Sequence, residues 1–414
     1  MNSHPKGCRH CHEPNLNPFL DLGIAPPSNS YLSQQDLDQD EITYPLIIEV
    51  CPKCWLVQTQ DFASRETFFS KDYAYFSSFS TSWLNHAKEY VGLMTDRFSL
   101  DKNSMIVEIA ANDGYLLQYA KEQNIPCFGV EPTTSTADAA RKKGIDIVEE
   151  FFGEELGLQL KNQGRGADLT VANNVLAHVP DINDFVKGFA AILNPEGVAT
   201  FEFPHLLEML KHNQFDTVYH EHYSYLSLSA VKRIFKANGL SVFDVDTVPF
   251  HGGSLRVFAQ RSDTGHHKIL PSVEQLLADE IAFGLHSRTP YAEFQMRAQK
   301  VSDDLVTCLK KCQQDGLKVA AFGAAAKGNT VLNFAGIDAS LISVVADSNP
   351  AKQGKFMPGS QIPIVSLDAM LSSKPDRVVI LPWNIKNEIK ELLSPIRDWG
   401  GMFITAVPEL KIEK

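Results

Sequence analysis

Positive charge is in short supply in this 414-residue chain: 38 Lys and Arg against 50 Asp and Glu leave a formal net charge of −12 at pH 7. A surface of that sign repels phosphate backbones and anionic lipid, so no nucleic-acid partner and no membrane partner is expected, although a local basic pocket remains open. There is also no Arg/Lys run interleaved with aromatics. No uninterrupted apolar stretch approaches the roughly eighteen residues that cross a bilayer. The opening MNSHPKGCRHCHEP lacks the charged-then-apolar pattern of a secretory signal, so a cytoplasmic location is expected. Neither an H-E-x-x-H helix nor a G-x-x-x-x-G-K-[ST] phosphate loop occurs.

What is present begins with cysteine. Four of the seven cysteines form two C-x-x-C pairs, Cys8/Cys11 and Cys51/Cys54. In a reducing compartment cysteines fit thiolates or metal ligands better than disulfides. Each pair reads as a tight turn aiming two sulfurs at one point, and two such turns complete a tetrahedral zinc site. His10 and His12 stand beside the first pair as alternative ligands. With every coordination position filled by protein, the zinc would be structural, stapling a segment too short to hold itself together readily.

The chain is too long for one core, and 44% hydrophobic with 21% charged residues is the balance of a soluble globular protein. From Ser104 strand-like and helical runs alternate: MIVEIA, CFGVE, IDIV, ADLTVAN and GVATFEFP are separated by helical segments such as DINDFVKGFAAIL. Such alternation means a parallel sheet with helices on both faces. LSVFDVDTV and SLRVFAQR, split by PFHGG, then read as a hairpin-like pair, as in a methyltransferase sheet whose seventh strand enters antiparallel. LKVAAFGAAAKGNTVLNFAG opens a second, smaller α/β unit. The expected architecture is therefore an N-terminal zinc-binding module (1–65), a central class I methyltransferase, Rossmann-like domain (66–270), a helical connector (271–316) and a C-terminal Rossmann-like α/β domain (317–414).

Ligands of open parallel sheets sit beyond the carboxyl ends of the strands. The first central strand ends in VEIAANDGYLL, placing Glu108, Ala110, Asn112, Asp113 and Gly114 near the turn. Glu131 ends the next strand, where an acidic residue commonly grips the hydroxyls of an adenosine ribose. Only Gly114 survives of the three glycines of a dinucleotide fingerprint, with Ala110 and Asn112 at the other two places. That departure disfavours a pyrophosphate and leaves room for S-adenosylmethionine. Asn173 and Asn174 would face the same ligand, and Phe151 and Phe152 could flank an adenine or belong to the core. In the last domain, backbone amides of FGAAAKGNT with Lys327, Gly328, Asn329 and Thr330 could cradle a diphosphate at a helix N-terminus. Arg256 is a second candidate cation, with Ser254 beside it. Asp347 would contact a ribose or cap a turn.

The paired C-x-x-C, VEIAANDGYLL, VYHEHYSYLS, FHGGSLRVF and FGAAAKGNT, in this order over essentially the whole chain, resemble the zinc-containing, S-adenosylmethionine-dependent C-methyltransferases of nucleotide-linked 4-keto-6-deoxy sugars. The resemblance implies C3 methylation of a dTDP- or GDP-linked sugar through a base-generated enolate. It assigns the base to His222, places Tyr219 at the sugar as donor or proton shuttle, and gives Glu221 an orienting role. It also brings His178 and Tyr73 near the sugar, with Tyr75 as the rival of Tyr73. Histidine suits the base because its ordinary pKa lies close to neutrality. Competing readings are an O- or N-methyltransferase, a catalytic metal on His220 and His222, and a non-catalytic zinc-dependent binding module. A monomer is expected.

Overall fold

The computed structural model describes residues 7–60 and 76–414. Tyr73 and Tyr75 lie outside them. No helix among the described residues is long and apolar enough to cross a membrane.

In chain order the strands are β1 (Asn17–Ala25), β2 (Tyr44–Val50), β3 (Val57–Thr59), β4 (Ile106–Ile109), β5 (Cys127–Val130), β6 (Asp146–Val148), β7 (Ala167–Asn173), β8 (Leu193–Pro204), β9 (Ser224–Tyr225), β10 (Leu240–Val248) and β11 (Ser254–Arg261), followed by β12 (Val319–Phe322), β13 (Val345–Ala346), β14 (Ile364–Val365), β15 (Arg377–Ile380), β16 (Met402–Thr405) and β17 (Lys411–Glu413). They form three sheets.

The central sheet runs β10-β11-β8-β7-β4-β5-β6. All its pairings are parallel except those of β11, which is antiparallel to both β8 and β10. This is the class I methyltransferase order, with the inserted last strand that the hairpin-like sequence pair indicates. Strand β4 is buried at all four positions, as a strand covered by helices on both faces must be. The helix Ile182–Ile192 shows how one covering element is specified. Asp181 caps it by accepting from the Asp184 N–H at 3.0 Å, and Ile182, Phe185, Val186, Phe189 and Ile192 fall on one buried face. Phe189 meets Phe201 of β8 with ring centroids 4.5 Å apart. Each phenylalanine so buried contributes roughly 1.5–3 kcal/mol.

The C-terminal sheet, β14-β13-β12-β15-β16-β17, is parallel but for its last strand. The first sheet, β1-β2-β3-β9, is antiparallel. Its fourth strand comes from the segment that follows His222, a pairing the sequence does not announce. The 26-residue helix Thr289–Gln314 is more than a tether. Its buried stripe, including Phe294, Ala298, Leu305 and Leu309, joins Phe19 and Ile48 of the first sheet and Val319 and Ala321 of the last in one continuous core.

Beneath the central sheet, Glu280 is fully buried on the helix Pro271–Phe283. It accepts from the N–H groups of Leu228 (2.6 Å) and Ser229 (2.8 Å) and from the Ser229 hydroxyl (2.6 Å), and it meets His205 Nε2 at 2.8 Å. Burial disfavours its charge, but the His205 and Ser229 bonds outweigh that and hold the carboxyl below its ordinary range. Glu280→Ala strands these donors in a dry interior and is expected to destabilise the protein by about 3–5 kcal/mol, read from urea unfolding; a loss below 1 kcal/mol would show the network to be dispensable.

Candidate active site

The three sheets converge on a cavity of about 650 Å³, within the size range of small-molecule sites. Its lining includes the carboxyl ends of β4, β5 and β7, the start of the helix Ala326–Phe334, the loops after β13 and β15, and the loop carrying Tyr219, Glu221 and His222.

The turns after β4 and β7 have the strain expected of a ligand turn. Ala110 (φ 59°), Asn112 (φ 49°) and Asn174 (φ 56°) adopt the left-handed conformation without being glycine, which bulky neighbours must enforce and which concentrates at functional sites. The Glu131 carboxylate accepts from the N–H groups of Asn112 and Thr133, each at 2.9 Å. Burial pushes its pKa up, opposed by these backbone bonds. Asn173 is 9% exposed with neither amide atom bonded to protein. A buried primary amide left in that state costs free energy unless a ligand or water fills the need. Ala110, Asn112, Glu131, Asn173 and Asn174 all line the cavity, as do Phe151 and Phe152. Phe152 is also packed edge-on against Phe185 and Phe189. A ribose diol at Glu131 and a polar ligand atom at Asn173 would suit S-adenosylmethionine.

Two expected cofactor residues are turned away. Glu108 is 1% exposed within β4 and does not line the cavity; burial, reinforced by Asp113 and Glu131 and opposed by a hydrogen bond with Tyr115, pushes its carboxyl well above the ordinary range. Gly114 (φ +73°) is a packing glycine: a Cβ there would stand 2.4 Å from Ile145 Cδ1.

In the loop that follows Phe215, His222 Nδ1 is 2.8 Å from the Thr217 carbonyl, and Nε2 is 2.7 Å from the Tyr219 hydroxyl. A carbonyl only accepts, so Nδ1 carries the hydrogen and the Tyr219 hydroxyl donates to the Nε2 lone pair. Burial first, then the proximity of His178, Lys327 and His251, holds the His222 pKa well below 6.5, so the ring is neutral. The His178 ring stands edge-on at 4.6 Å, with its own pKa pushed down to about 4 by burial. Glu221 is 3% exposed and accepts from Asn29 Nδ2 at 2.6 Å. His220 points elsewhere, its Nε2 3.2 Å from the carbonyls of Tyr44 and Pro45. It does not line the cavity, so His220 and His222 do not converge on a metal.

Among the cavity's cations, Lys327 donates to the His251 carbonyl at 3.2 Å, and Lys352 donates to the Ala324 carbonyl at 2.7 Å. Burial lowers both lysine pKa values, with Asp216 and Asp347 respectively opposing it. Each ammonium keeps further donors for an anion. Asp216 is fully buried and accepts from Trp383 Nε1 at 2.7 Å.

The other expected substrate residues have different duties. Arg256 is 4% exposed and bound to Glu202 at 2.9 Å, with His86 on the same carboxylate, so it is not a free cation. Ser254 donates to the Phe250 carbonyl at 3.1 Å. Gly328 packs on Leu381, where a Cβ would come within 2.8 Å. Asn329 is buried, and Thr330 donates to the Val218 carbonyl at 2.7 Å. None of these five lines the cavity. Asp347 caps its turn, accepting from Ala324 N and Asn349 N at 2.8 Å each. Sequence reading missed Asn29, His251 and Lys352, which line the cavity from three distant parts of the chain. Only His251, within the quoted FHGGSLRVF, carried a local signal.

The sulfurs of Cys8, Cys11, Cys51 and Cys54 all lie within 4.8 Å of one another, with Cys8 to Cys54 at 3.4 Å and Cys11 to Cys51 at 3.5 Å. A tetrahedron with 2.3 Å zinc–sulfur bonds has sulfurs roughly 3.8 Å apart, so four thiolates here fit zinc with no position open to substrate.

The chain matches family models described as a C-methyltransferase C-terminal domain over residues 249–408, a zinc binding domain over 8–69 and a methyltransferase domain over 83–245. C-methyltransferase NovU of Streptomyces niveus is 32% identical over 405 residues, covering 98% of this chain and 96% of that protein. Among solved structures, magnesium protoporphyrin IX methyltransferase of Synechocystis PCC 6803 with bound SAH is 14% identical over 43% of this chain and 83% of its own, with a TM-score of 0.35. A 1,6-didemethyltoxoflavin-N1-methyltransferase of Burkholderia thailandensis is 16% identical over 50% and 96%, with a TM-score of 0.36. Both are too distant to bear on the chemistry of this site.

Glu131→Ala removes the proposed acceptor for two ribose hydroxyls. It is expected to weaken S-adenosylmethionine binding by about 1.5–3 kcal/mol, roughly tenfold to a hundredfold in Kd by titration calorimetry. An unchanged Kd would place the ribose elsewhere.

Proposed function

The chain belongs to the zinc-containing, S-adenosylmethionine-dependent C-methyltransferases, and from that premise we propose that it methylates carbon 3 of a dTDP- or GDP-linked 4-keto-6-deoxy sugar, in the synthesis of a branched deoxysugar. The observation that carries this reading is the Tyr219–His222 pair, fixed in one tautomer in a cavity that the candidate cofactor residues and two lysines, Lys327 and Lys352, also line.

Carbon alkylation needs a carbon nucleophile, and the hydrogen next to a ketone is the one a modest base can take. In the proposed reaction the C3–H bond breaks, its electron pair enters a C3–C4 double bond, and the ketone oxygen takes up the charge. The proton ends on His222 Nε2. It arrives directly once the Tyr219 hydroxyl swings aside, or through that hydroxyl, which accepts it while passing its own proton to Nε2. Either way Nδ1–H stays on the Thr217 carbonyl, so the imidazolium remains held. A positioned base is worth roughly 10² to 10⁴ in rate. Tyr219, once released from Nε2, can donate to the developing enolate oxygen, a contribution of about 10² to 10³. When bound, S-adenosylmethionine supplies an electrophilic methyl group on a sulfonium sulfur. The enolate reverts to ketone as C3 bonds to that methyl and the methyl–sulfur bond breaks, its electron pair staying on a now neutral thioether sulfur, and the proton on His222 is left for solvent.

Glu221, oriented by Asn29, suits a sugar hydroxyl or amine. Lys327 and Lys352 suit the diphosphate, with the Ala325 and Ala326 turn beside them. Two cations lining one cavity of an acidic protein support a doubly charged handle on the substrate.

Incubation with methyl-labelled S-adenosylmethionine and a panel of thymidine- and guanosine-linked keto sugars is expected to put label on carbon; label on oxygen or nitrogen would refute the mechanism. His222→Ala is expected to lose about 10² to 10⁴ in kcat with S-adenosylmethionine affinity retained, and a near-normal rate would move the base elsewhere. Because the free-enzyme His222 pKa is lowered, its ring stays neutral as pH falls through 6.5. The profile of kcat/KM, which reports the free enzyme, is therefore expected to stay flat there and to fall only at more acid pH. An acid limb centred at or above 6.5 would contradict this.

A further inference from the structure

We propose that Arg9, inside the first cysteine pair, is a positioning residue that fixes His178 and His222 relative to each other, so that the metal-holding knuckle sets the geometry of proton abstraction. This rests on the reading of His222 as the base. Arg9 is 8% exposed, and its guanidinium donates to main-chain carbonyls of three separate segments. Nη2 donates to Thr59 at 2.9 Å, Nη1 to Pro180 at 3.2 Å and Nε to Tyr223 at 3.1 Å. Pro180 lies two residues past His178, and Tyr223 is the residue after His222. One rigid planar fork thus holds both loops that carry the paired imidazoles.

Other contacts tighten the same joint. The guanidinium carbon sits 4.9 Å over the Tyr223 ring. Thr59, itself gripped by Arg9, donates its hydroxyl to the His222 carbonyl at 3.1 Å and its N–H to the Tyr223 carbonyl at 3.2 Å. Tyr223 N–H in turn donates to Ala177, next to His178, at 2.8 Å. The anchor of the fork is equally well defined. Arg9 N–H donates to Gln58 Oε1 at 2.9 Å, and Asn183 Nδ2 reaches the carbonyls of Arg9 and His10 at 3.2 and 3.0 Å. Cys8 and Cys11 flank this short segment, so metal ligation by their sulfurs would clamp the backbone from which the fork extends.

A lysine cannot reproduce three divergent donors in one plane. With Arg9→Lys the two loops are free to drift, and a misplacement near 1 Å at a reacting group costs about 100-fold in rate. The experiment compares full-length, metal-loaded wild type, Arg9→Lys and the milder Thr59→Val. For Arg9→Lys the expected result is full metal content, S-adenosylmethionine affinity within about twofold of wild type, and kcat lowered about 100-fold. The kinetic isotope effect from deuterium at the abstracted position should rise, because proton removal has become slower. Amides across residues 219–225 should exchange with D₂O faster than in wild type while those of β4 and β7 do not. Thr59→Val should shift the same readouts in the same direction, and it alone decides if Arg9→Lys does not fold. Wild-type kcat, isotope effect and amide exchange would overturn the proposal, as would losses of activity that only parallel losses of metal and cofactor binding. If wild type methylates no keto-sugar carbon, the reading of the reaction fails, and the exchange comparison still decides whether Arg9 holds the loop.

Discussion

A buried loop must find partners for its main-chain groups, and the segment from Phe215 to Tyr225 finds them in all three units of the molecule. The Val218 carbonyl is satisfied by Thr330 of the C-terminal domain, that of His222 by Thr59, that of Tyr223 by Arg9 and Thr59 together, and Tyr223 N–H by Ala177 of the central domain. Without any one unit, buried polar groups would be left unpaired, at about 1–3 kcal/mol each. The conformation that presents Tyr219 and His222 to the cavity is therefore a property of the assembled chain rather than of the loop.

The same burial sets the chemistry. Desolvation disfavours an imidazolium, and the nearby Lys327 ammonium adds positive potential, so His222 waits in its neutral form. The Thr217 carbonyl fixes which nitrogen bears the hydrogen. The lysine cations that line the cavity are themselves disfavoured by burial, a cost that an incoming dianion would relieve. Cation and base thus share one cavity, where the surrounding protein lets electrostatic influence carry further than in bulk water.

Short-range patterns in the sequence carried most of the fold. Cysteine spacing, the alternation of strand and helix, and the final hairpin are local signals, and each corresponds to an element of the structure. Facing is a different matter, because it depends on which neighbour arrives from elsewhere. Arg256 looks like an available cation in HGGSLR until Glu202 of β8 is laid beside it. Gly114 and Gly328 look like ligand-approach glycines until Ile145 and Leu381 are seen to occupy the space where a side chain would go. Conversely, nothing near Asn29 or Lys352 in the sequence points to a site; both reach it only because the first and last sheets fold against the central one.

Strand β9 belongs by sequence to the catalytic domain and by hydrogen bonding to the sheet of the zinc unit. The three units are consequently not interchangeable parts. A chimera that takes its first sixty residues from one relative and the remainder from another would inherit a sheet whose outer strand was shaped for a different neighbour, so any such graft has to carry Ser224 and Tyr225 along with the cysteine knuckles.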